Sequence, residues 1–470
     1  MRLQFAIAAV LALVVKNASA FTVGSPEGLA AGATGGAGGK TVYPTSTSEL
    51  VSYLASSEPL VVVLNKTFDF RGTEGTTTET GCRPDYTREC MAKKNGFKSQ
   101  DVIIQGGNME TTGGCTGGTS VKVTYDNAAL KRMTVTGNKT IRGIGKSGVI
   151  KGKGLTLAGD NIIMQNVHIT ELNHHLVWGG DAIYMQGNNG GSTAMKKIWL
   201  DHIKISRVGR QFITTNKAST DSMTISNSDF ELRRKHRLLG ITKFSMLNNY
   251  ILGTSGRSPK IGGDSAATVV AHVAKNFWGN NSGHSFEIGA NAWVLAEGNY
   301  FSNTRMPLYT GKDGALYAAG SGDECKNYLG RSWAANELVD SGDFTSRNGE
   351  TALKTIKGVS TFVKYTPSSS GTSSSQQQQQ QSSQANGSQQ QQSSQTNDSE
   401  QQQEQQQSSE ANESEQQQGQ QQEQQPSQNF DGNWGMWGSQ FHSRKLAVET
   451  SNLEKEWQQT SGNFGVGKLD

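Results

Sequence analysis

Three segments of the sequence contain the side chains that are the strongest candidates for a catalytic or binding role. Together they supply a carboxylate, Asp181, and three cations, Arg210, Arg257 and Lys260. Arg210 and Lys260 are suited to hold positive charge where negative charge develops in a reaction. Standing alone, Arg257 would be expected to form a surface ion pair, but its place in a compact motif favours a functional role. The segments read Val177-Trp178-Gly-Gly-Asp181-Ala-Ile183, Trp199-Leu-Asp-His202 with Ser206-Arg-Val-Gly-Arg210-Gln211, and Thr254-Ser-Gly-Arg257-Ser-Pro-Lys260.

Two further motifs suggest a ligand but carry less weight. Gly143-Ile-Gly145-Lys-Ser-Gly148 matches the dinucleotide-binding fingerprint, which requires a helix directly after it. A strand-and-turn pattern follows instead. His174-His175 has no carboxylate or cysteine at ligand spacing and indicates a surface pair rather than a metal site. We therefore expect neither a cofactor nor a metal.

The elements that position these residues follow from a short repeat. Alternating apolar residues lead to an Asn or His, after which the alternation resumes, with steps of about 36, 25, 22, 27 and 23 residues between units. The first step is long because it holds the insertion 187–192. A period in the low twenties, with short strands and Gly or Asn turns, is typical of a β-solenoid. The units are aligned on Asn166, His202, Asn227, Asn249, Asn276 and Asn299.

A parallel β-helix fits this repeat best. Alternation gives each strand one inward and one outward set of side chains, and a coil buries its inward set only when the next coil stacks on it. Asn is suited to the bends, because it tolerates left-handed backbone angles. A β-sandwich would return its strands every 8–12 residues or so, and a propeller would need a period of about 40.

The first residues of the chain differ from the region that contains the repeat. Residues 1–20 are typical of a signal peptide, with an apolar stretch that ends at Ala18-Ser19-Ala20, so we expect a secreted protein that begins near Phe21. No segment approaches the roughly 20 apolar residues of a transmembrane helix, and no membrane partner is expected. Sequons at Asn65, Asn138 and Asn280 are compatible with glycosylation.

Composition divides the remainder into three parts. The body covers 21–364, and 365–429 is a segment of Gln and Ser with scattered Glu that should be disordered. The tail 430–470 carries three tryptophans but is too short to bury a core by itself. It is either a docking segment or further disorder, and the second is favoured.

Charge is unevenly distributed along the chain. Of the formal +4, the first 20 residues carry +2, 365–443 has eight acids and no Lys or Arg, and 444–470 is neutral, which leaves +10 for 21–364. A basic body suits a polyanion, although solvated surface lysines are the alternative. Because secretion argues against nucleic acid, we expect an acidic polysaccharide as the partner.

The body resembles the pectin lyases of the polysaccharide lyase family that also contains the pectate lyases. The resemblance extends from about Phe21 to about Lys364 and implies a right-handed single-stranded parallel β-helix with a cleft on one outer face. It is carried by the three segments above and by Val23-Gly-Ser-Pro-Glu-Gly28, Gly152-Lys-Gly-Leu155, Ser282-Gly-His-Ser-Phe-Glu-Ile-Gly289, Val294-Leu-Ala-Glu-Gly-Asn299 and Tyr328-Leu-Gly-Arg331.

The resemblance also implies roles for the cleft residues. Arg257 matches the base that removes the C5 proton of a galacturonosyl unit, and Asp181 and Arg210 match the other two residues associated with catalysis. Lys260 and Trp178 match positions that contact substrate. His202 and Trp199 belong to a matching motif, for which structural support is the favoured interpretation. The substrate implied is methyl-esterified polygalacturonate, cleaved by a monomer through β-elimination.

Elementary chemistry agrees with these roles. A uronic acid unit has an acidic proton at C5, next to the C6 carboxyl carbon, and a leaving group at O4. The enzyme must hold a base near C5 and positive charge near the C6 oxygens, where enolate charge develops. Arginine is a difficult base, since neutralising it at pH 8 costs roughly 6–8 kcal/mol. Neighbouring cations and desolvation would reduce that cost.

Two other functions stay open. Calcium-dependent pectate lyases hold their ion with acidic residues, and Arg210 stands at one of those positions, which argues against a metal here. The segment Arg233-Arg-Lys-His-Arg237 replaces an aromatic-rich segment of pectin lyases and favours the pectate lyase alternative. It either forms a more basic cleft wall, suited to partly de-esterified substrate, or merely faces solvent. A pectin-binding protein without activity is the third alternative.

The four cysteines are too few to form a disulfide scaffold. The resemblance implies a closed loop between Cys82 and Cys115. Cys90 and Cys325 are expected to be unpaired, because the family partner of Cys90 lies in the missing aromatic segment and residues such as Ser332 occupy the partner position of Cys325.

Overall fold

The computed structural model describes most of the body and a short part of the tail. The signal peptide predicted at 1–20, residues 366–429 of the Gln/Ser segment and most of the tail lie outside the described residues, so those interpretations stay predictions. No helix of the described part is long and apolar enough to cross a membrane. The described residues are 22–85, 87–88, 100–103, 115, 117–215, 220–231, 235–238, 242–254, 256–263, 268–320, 324–365 and 464–469.

Three long parallel sheets, here called A, B and C, make up the body. Sheet A contains β1 (Lys40–Val42), β2 (Leu60–Leu64), β8 (Lys139–Gly143), β11 (Ile162–Gln165), β15 (Ile198–Asp201), β18 (Thr220–Ser226), β21 (Thr242–Leu247), β24 (Val269–Ala274), β27 (Ala292–Glu297) and β30 (Ala315–Ala318). Sheet B contains β3 (Thr67–Asp69), β9 (Val149–Lys151), β12 (His168–Thr170), β16 (Lys204–Ser206), β19 (Asp229–Glu231), β22 (Tyr250–Leu252), β25 (Phe277–Gly279), β28 (Tyr300–Ser302) and β31 (Glu337–Val339). Sheet C contains β7 (Met133–Val135), β10 (Leu155–Leu157), β14 (Ile183–Met185), β17 (Gln211–Thr215), β20 (Lys235–Leu238), β23 (Lys260–Ile261), β26 (His284–Ile288) and β29 (Met306–Leu308).

The chain visits sheets A, B and C in turn and then returns to A one strand further along. Each strand therefore pairs in parallel with its equivalents in the coils before and after it, as Ile162 does with Lys139 and Ile198. This path is a parallel β-helix, and the fold predicted from the repeat is confirmed.

Inward side chains of successive coils form one continuous core. Phe212, Phe230, Phe244, Phe286 and Phe301 are fully buried inside the helix. The ring of Trp278 stacks on Phe301, with centroids 5.0 Å apart and an interplanar angle of 14°. Since a buried aromatic side chain removes a large apolar area from water, this stack stabilises the later coils.

The bend between sheets A and B contains two neighbouring columns of residues. In the first column the backbone is left-handed, with φ between 48° and 59°, at Asn166, His202, Asn227, Asn248, Lys275 and Gly298. In the second, Asn249, Asn276, Asn299 and Asn336 form a ladder; the Asn249 amide nitrogen, for example, donates to Asn276 Oδ1 at 2.9 Å. The repeat predicted from sequence therefore aligned the last three units one residue too far, because it joined the two columns.

Helices and an added sheet cover parts of the β-helix. The helix α1 (Thr47–Ala55) begins at the N-cap Ser46, whose hydroxyl accepts from the Glu49 amide at 3.2 Å, and its buried face joins the core. α2 (Glu324–Leu329) lies between β30 and β31, whereas α3 (Gly349–Lys357) and α4 (Ser360–Val363) follow β31, and α3 packs on the outside of sheet A. The 3₁₀ helices are Gly28–Ala30, Asn127–Leu130 and Asn189–Gly191, and sheet D contains β6 (Thr119–Asp126), β4 (Thr76–Arg83), β5 (Asp101–Val102) and β13 (Leu176–Val177).

The predicted disulfide is present in sheet D. Cys82 lies in β4 and bonds to Cys115, with 6.0 Å between their Cα atoms. Cys90 lies outside the described residues, so its unpaired state, like that of Cys325, stays a prediction.

We expect this one disulfide in the mature protein, with Cys90 and Cys325 as free thiols. Alkylation of the unfolded, unreduced protein followed by mass mapping should label those two cysteines and leave Cys82 and Cys115 joined. A peptide pair that contains Cys90 bridged to Cys325 would contradict the expectation.

The last described residues dock on the outer face of sheet B. Phe464 is 8% exposed and lies 6.0 Å from the ring of Tyr250, at the end of a row of stacked rings that continues through Phe277 to Tyr300. The Gly465 amide donates to the Asn227 carbonyl at 3.0 Å. Of the two interpretations of the tail, docking describes this short stretch.

We predict that truncation after Thr366 lowers the melting temperature but leaves turnover near normal, because the docked tail lies on sheet B and the predicted site residues lie on sheet C. Burial of Phe464 alone contributes about 1.5–3 kcal/mol. Deletion of 367–429 with the tail retained is the control and should melt like the full chain. A large loss of activity on truncation would show that the tail contributes to the cleft.

Candidate functional site

Three of the five predicted site residues lie at the start of strands of sheet C. Asp181 comes two residues before β14, Arg210 directly before β17, and Lys260 is the first residue of β23. Adjacent strands lie about 4.8 Å apart, so the strands that carry Arg210 and Lys260, with β20 between them, are separated by roughly 10 Å. Residues distant in sequence thus form two clusters on one face.

The first cluster is centred on Asp181, which is buried. Its Oδ1 accepts from the Gln211 amide at 3.0 Å, and its Oδ2 lies 3.6 Å from Nη1 of both Arg210 and Arg132. Burial raises the pKa of the Asp181 carboxyl, and the two guanidinium groups offset only part of that rise. One carboxyl group therefore lies between two cations, and the group of three has a net positive charge when Asp181 is ionised.

The indole ring of Trp178 packs against the guanidinium group of Arg210. The guanidinium carbon of Arg210 lies 3.5 Å from the centroid of the indole, which is a close cation–π contact. The ring also packs against the buried cluster of Val123, Tyr125 and Leu176. The predicted contact of Trp178 with substrate stays a prediction, whereas its contact with Arg210 shows that it holds that cation in place.

The second cluster is centred on Glu287, a buried carboxylate on β26. Glu287 accepts from Arg257 Nε at 2.9 Å and from His284 Nε2 at 2.9 Å, and Lys260 Nζ lies 2.9 Å from its other oxygen. Burial alone would raise the pKa of Glu287, but the hydrogen bonds from His284 and Lys260 and the charge of Arg257 outweigh burial and hold the pKa well below its usual range. The ring of His284 in turn stacks on Tyr309 at 4.6 Å.

The backbone around Arg257 is unusual and firmly held. Arg257 has a φ of 55°, a left-handed conformation that costs about 1–2 kcal/mol in a residue with a Cβ. Its amide donates to the His284 carbonyl at 2.6 Å, and the core indole of Trp278 donates to the next carbonyl, Ser258, at 2.7 Å. The peptide bond from Ser258 to Pro259 is cis. The core therefore fixes the backbone from which Arg257 projects.

Arg257 is the most exposed of these cations. Its side chain is 41% exposed, against 19% for Lys260 and 27% for Arg210. Among the described residues the one hydrogen bond of its side chain runs from Nε to Glu287. A ligand that lies across sheet C can therefore reach the outer edge of this guanidinium.

Trp199 and His202 lie elsewhere. Trp199 is in β15 of sheet A, and its Nε1 donates to Ser226 at 2.9 Å. His202 Nδ1 lies 2.8 Å from Asp201 Oδ2 in a buried network. Trp199 thus lies on sheet A and His202 in the bend that follows it, which agrees with the structural interpretation of that motif.

Three residues of the two clusters were missed by the sequence analysis. Glu287 and His284 lie within a quoted motif, but nothing in its spacing indicates that Glu287 joins three basic side chains. Arg132 precedes an ordinary short strand and belongs to no motif. Among the described residues there is no group of three or more His, Cys, Asp or Glu that could hold a metal ion.

Comparison with known proteins identifies the family. A probable pectin lyase F of Aspergillus flavus is 43% identical over 350 residues, which cover 70% of this chain and 77% of that protein. Pectin lyase B of Emericella nidulans is 38% identical over 370 residues, or 73% of this chain and 90% of that protein. The chain therefore belongs to the pectin lyase family, a family of polysaccharide lyases.

Solved structures and family models add less. A pectate lyase from Acidovorax avenae subsp citrulli is 14% identical, with a TM-score of 0.42 over 70% of this chain and 86% of that one. No family model matches the chain.

We predict that Glu287→Gln lowers kcat by roughly 10- to 100-fold, because small displacements of reacting groups have effects of that size. The variant should also melt at a lower temperature at neutral pH. Since the pKa of Glu287 is depressed, its stabilising contribution is present above the ordinary value of 4.5 and is lost as the pH falls further, so the difference in melting temperature should shrink in acid.

The matched control is Glu350→Gln, which removes a carboxylate from an exposed pair with Lys354 on α3. Such a pair contributes little to stability, and neither kcat nor melting should change. Wild-type kcat in Glu287→Gln would show that the Glu287 cluster does not position the reacting groups.

Proposed function

We propose that this protein is a secreted, monomeric pectin lyase that cleaves methyl-esterified α-1,4-polygalacturonate by β-elimination, without a metal, and releases unsaturated oligogalacturonides. The observation that carries the proposal is the pair of cationic clusters on sheet C, in a chain of the pectin lyase family. Secretion rests on residues 1–20, which are typical of a signal peptide.

In the proposed reaction, Arg257 removes the proton from C5 of a galacturonosyl unit whose C6 carboxyl group is esterified. The electron pair of the C5–H bond forms a double bond between C4 and C5 while the C4–O4 bond breaks, and O4 leaves with a proton taken up from the site or from water. Negative charge develops on the C6 carbonyl oxygen. Arg210 and Lys260 supply positive charge for it, the task that calcium performs in pectate lyases.

Arg257 lies beside both an anion and a second cation. Its Nε donates to Glu287, and the same carboxylate holds Lys260. Glu287 is shared with Lys260 and His284, so its negative charge does not act on Arg257 alone. A methyl-esterified substrate adds no further anion, which supports ester over free acid as the reacting unit.

We predict that Arg257→Ala lowers product formation on highly esterified pectin by roughly 10²–10⁴-fold with the fold intact, because the variant lacks the general base. The measurement is the ultraviolet absorbance of the unsaturated product. Arg71→Ala, which removes an arginine paired with Asp69 at the edge of sheet B, is the control and should be as active as wild type.

The wild-type enzyme should keep its rate on pectin in the presence of chelator and should cleave unesterified polygalacturonate less well. Loss of activity on chelation, or a clear preference for polygalacturonate, would replace the proposal by a calcium-dependent pectate lyase. Binding of pectin without any product would indicate a binding protein instead.

A further inference from the structure

Arg132 lies one residue before β7 and reaches across two coils towards Asp181. Its Nε donates to Thr156 Oγ1 on β10 at 3.2 Å, its guanidinium carbon lies 4.7 Å from the ring centroid of Tyr184 on β14, and Nη1 lies 3.6 Å from Asp181 Oδ2. The side chain therefore runs over the outward face of sheet C, in the direction that leads to Arg210.

Glycine at position 154 leaves room for the side chain of Arg132. A Cβ at Gly154 would lie 2.1 Å from the Asp181 carbonyl oxygen and 3.2 Å from Cγ of Arg132. Any other residue at position 154 would therefore collide with the Asp181 backbone and crowd the side chain of Arg132. Gly154 belongs to a motif that carries the family resemblance, but its effect on Arg132 becomes visible only in the stacked coils.

The guanidinium of Arg132 has N–H groups that donate no hydrogen bond to the described residues. Its side chain is 28% exposed, close to the 27% of Arg210. Among the described residues neither Nη1 nor Nη2 donates a hydrogen bond, because 3.6 Å to Asp181 is too long for one. A half-buried guanidinium with open donors, next to an aromatic ring, is suited to bind a carboxylate oxygen.

We propose that Arg132 and Tyr184 form an additional subsite of the cleft, beyond Arg210 and away from Lys260, that binds the free carboxylate of a galacturonate unit. The inference rests on the proposed function for its substrate class. It assigns to the enzyme a preference for an unesterified unit at some distance from the esterified unit that reacts. Arg132 is here a substrate-binding residue, whereas Asp181 remains between the two arginines.

The test measures binding separately from turnover, in an Arg257→Ala background, by calorimetry with two hexagalacturonates. One is fully methyl-esterified and the other carries free carboxylates. Adding Arg132→Gln should weaken binding of the free-acid hexamer by about 10-fold, the lower end for a hydrogen bond to a charged group. Binding of the ester should change by less than about 2-fold, a difference of roughly 0.4 kcal/mol.

Arg132→Lys keeps the charge and should restore part of the affinity for the free acid. Lys243→Ala, which removes a cation paired with Asp221 on sheet A, is the control and should bind both hexamers as its parent does. An equal loss of affinity for both hexamers in Arg132→Gln would overturn the inference and make Arg132 a positioning residue for Asp181. Unchanged binding of both would overturn it as well.

Turnover of the otherwise wild-type enzyme distinguishes this failure from a failure of the proposed function. Arg132→Gln should raise KM on partly de-esterified pectin more than on highly esterified pectin. If the wild type forms no unsaturated product, the proposed function fails while the binding result still decides the role of Arg132.

Discussion

Hydrogen bonding between successive coils is the constraint on which the rest of the structure depends. It sets the strands about 4.8 Å apart and brings Asp181, Arg210, Lys260 and Glu287 onto one sheet, although more than 100 positions separate the first from the last in the sequence. The stacked core supports this register from inside. Through the bond from Trp278 to the Ser258 carbonyl, it also fixes the backbone beside Arg257.

Electrostatic compensation is the second feature that the fold makes possible. Cations placed side by side repel each other, and each cluster contains one buried carboxylate that offsets this repulsion. Asp181 lies between Arg132 and Arg210, and Glu287 joins Arg257, Lys260 and His284. Both clusters keep a net positive charge, which suits a ligand that develops negative charge during reaction.

Sequence reasoning identified the architecture because a coil has a local signature. Alternation and bend residues recur wherever a strand must stack on its predecessor. The exact column in each bend was beyond it: Asn227 has the left-handed backbone, yet Asn249 is one position past it, and a period between 22 and 27 residues does not separate the two. Only the pairing of backbone groups across coils does.

The sequence indicates the role of some functional side chains and not of others. Arg210, Arg257 and Lys260 stand in motifs that the sequence displays, whereas Glu287 and Arg132 acquire their roles from contacts across coils that no local pattern contains. Phe464 is a similar case, because a single aromatic residue near the end of a polar tail gives no indication of the ring on which it docks.

In the proposed mode of binding, the cationic face of sheet C holds the polysaccharide and presents C5 of an esterified unit to Arg257. A crystal structure of Arg257→Ala with a methyl-esterified hexagalacturonate tests it most directly. We expect the saccharide to cross sheet C, with the C6 ester of one unit beside Arg210 and Lys260 and its C5 hydrogen directed at the missing side chain. A saccharide bound on another sheet, or one held through a calcium ion, would contradict it.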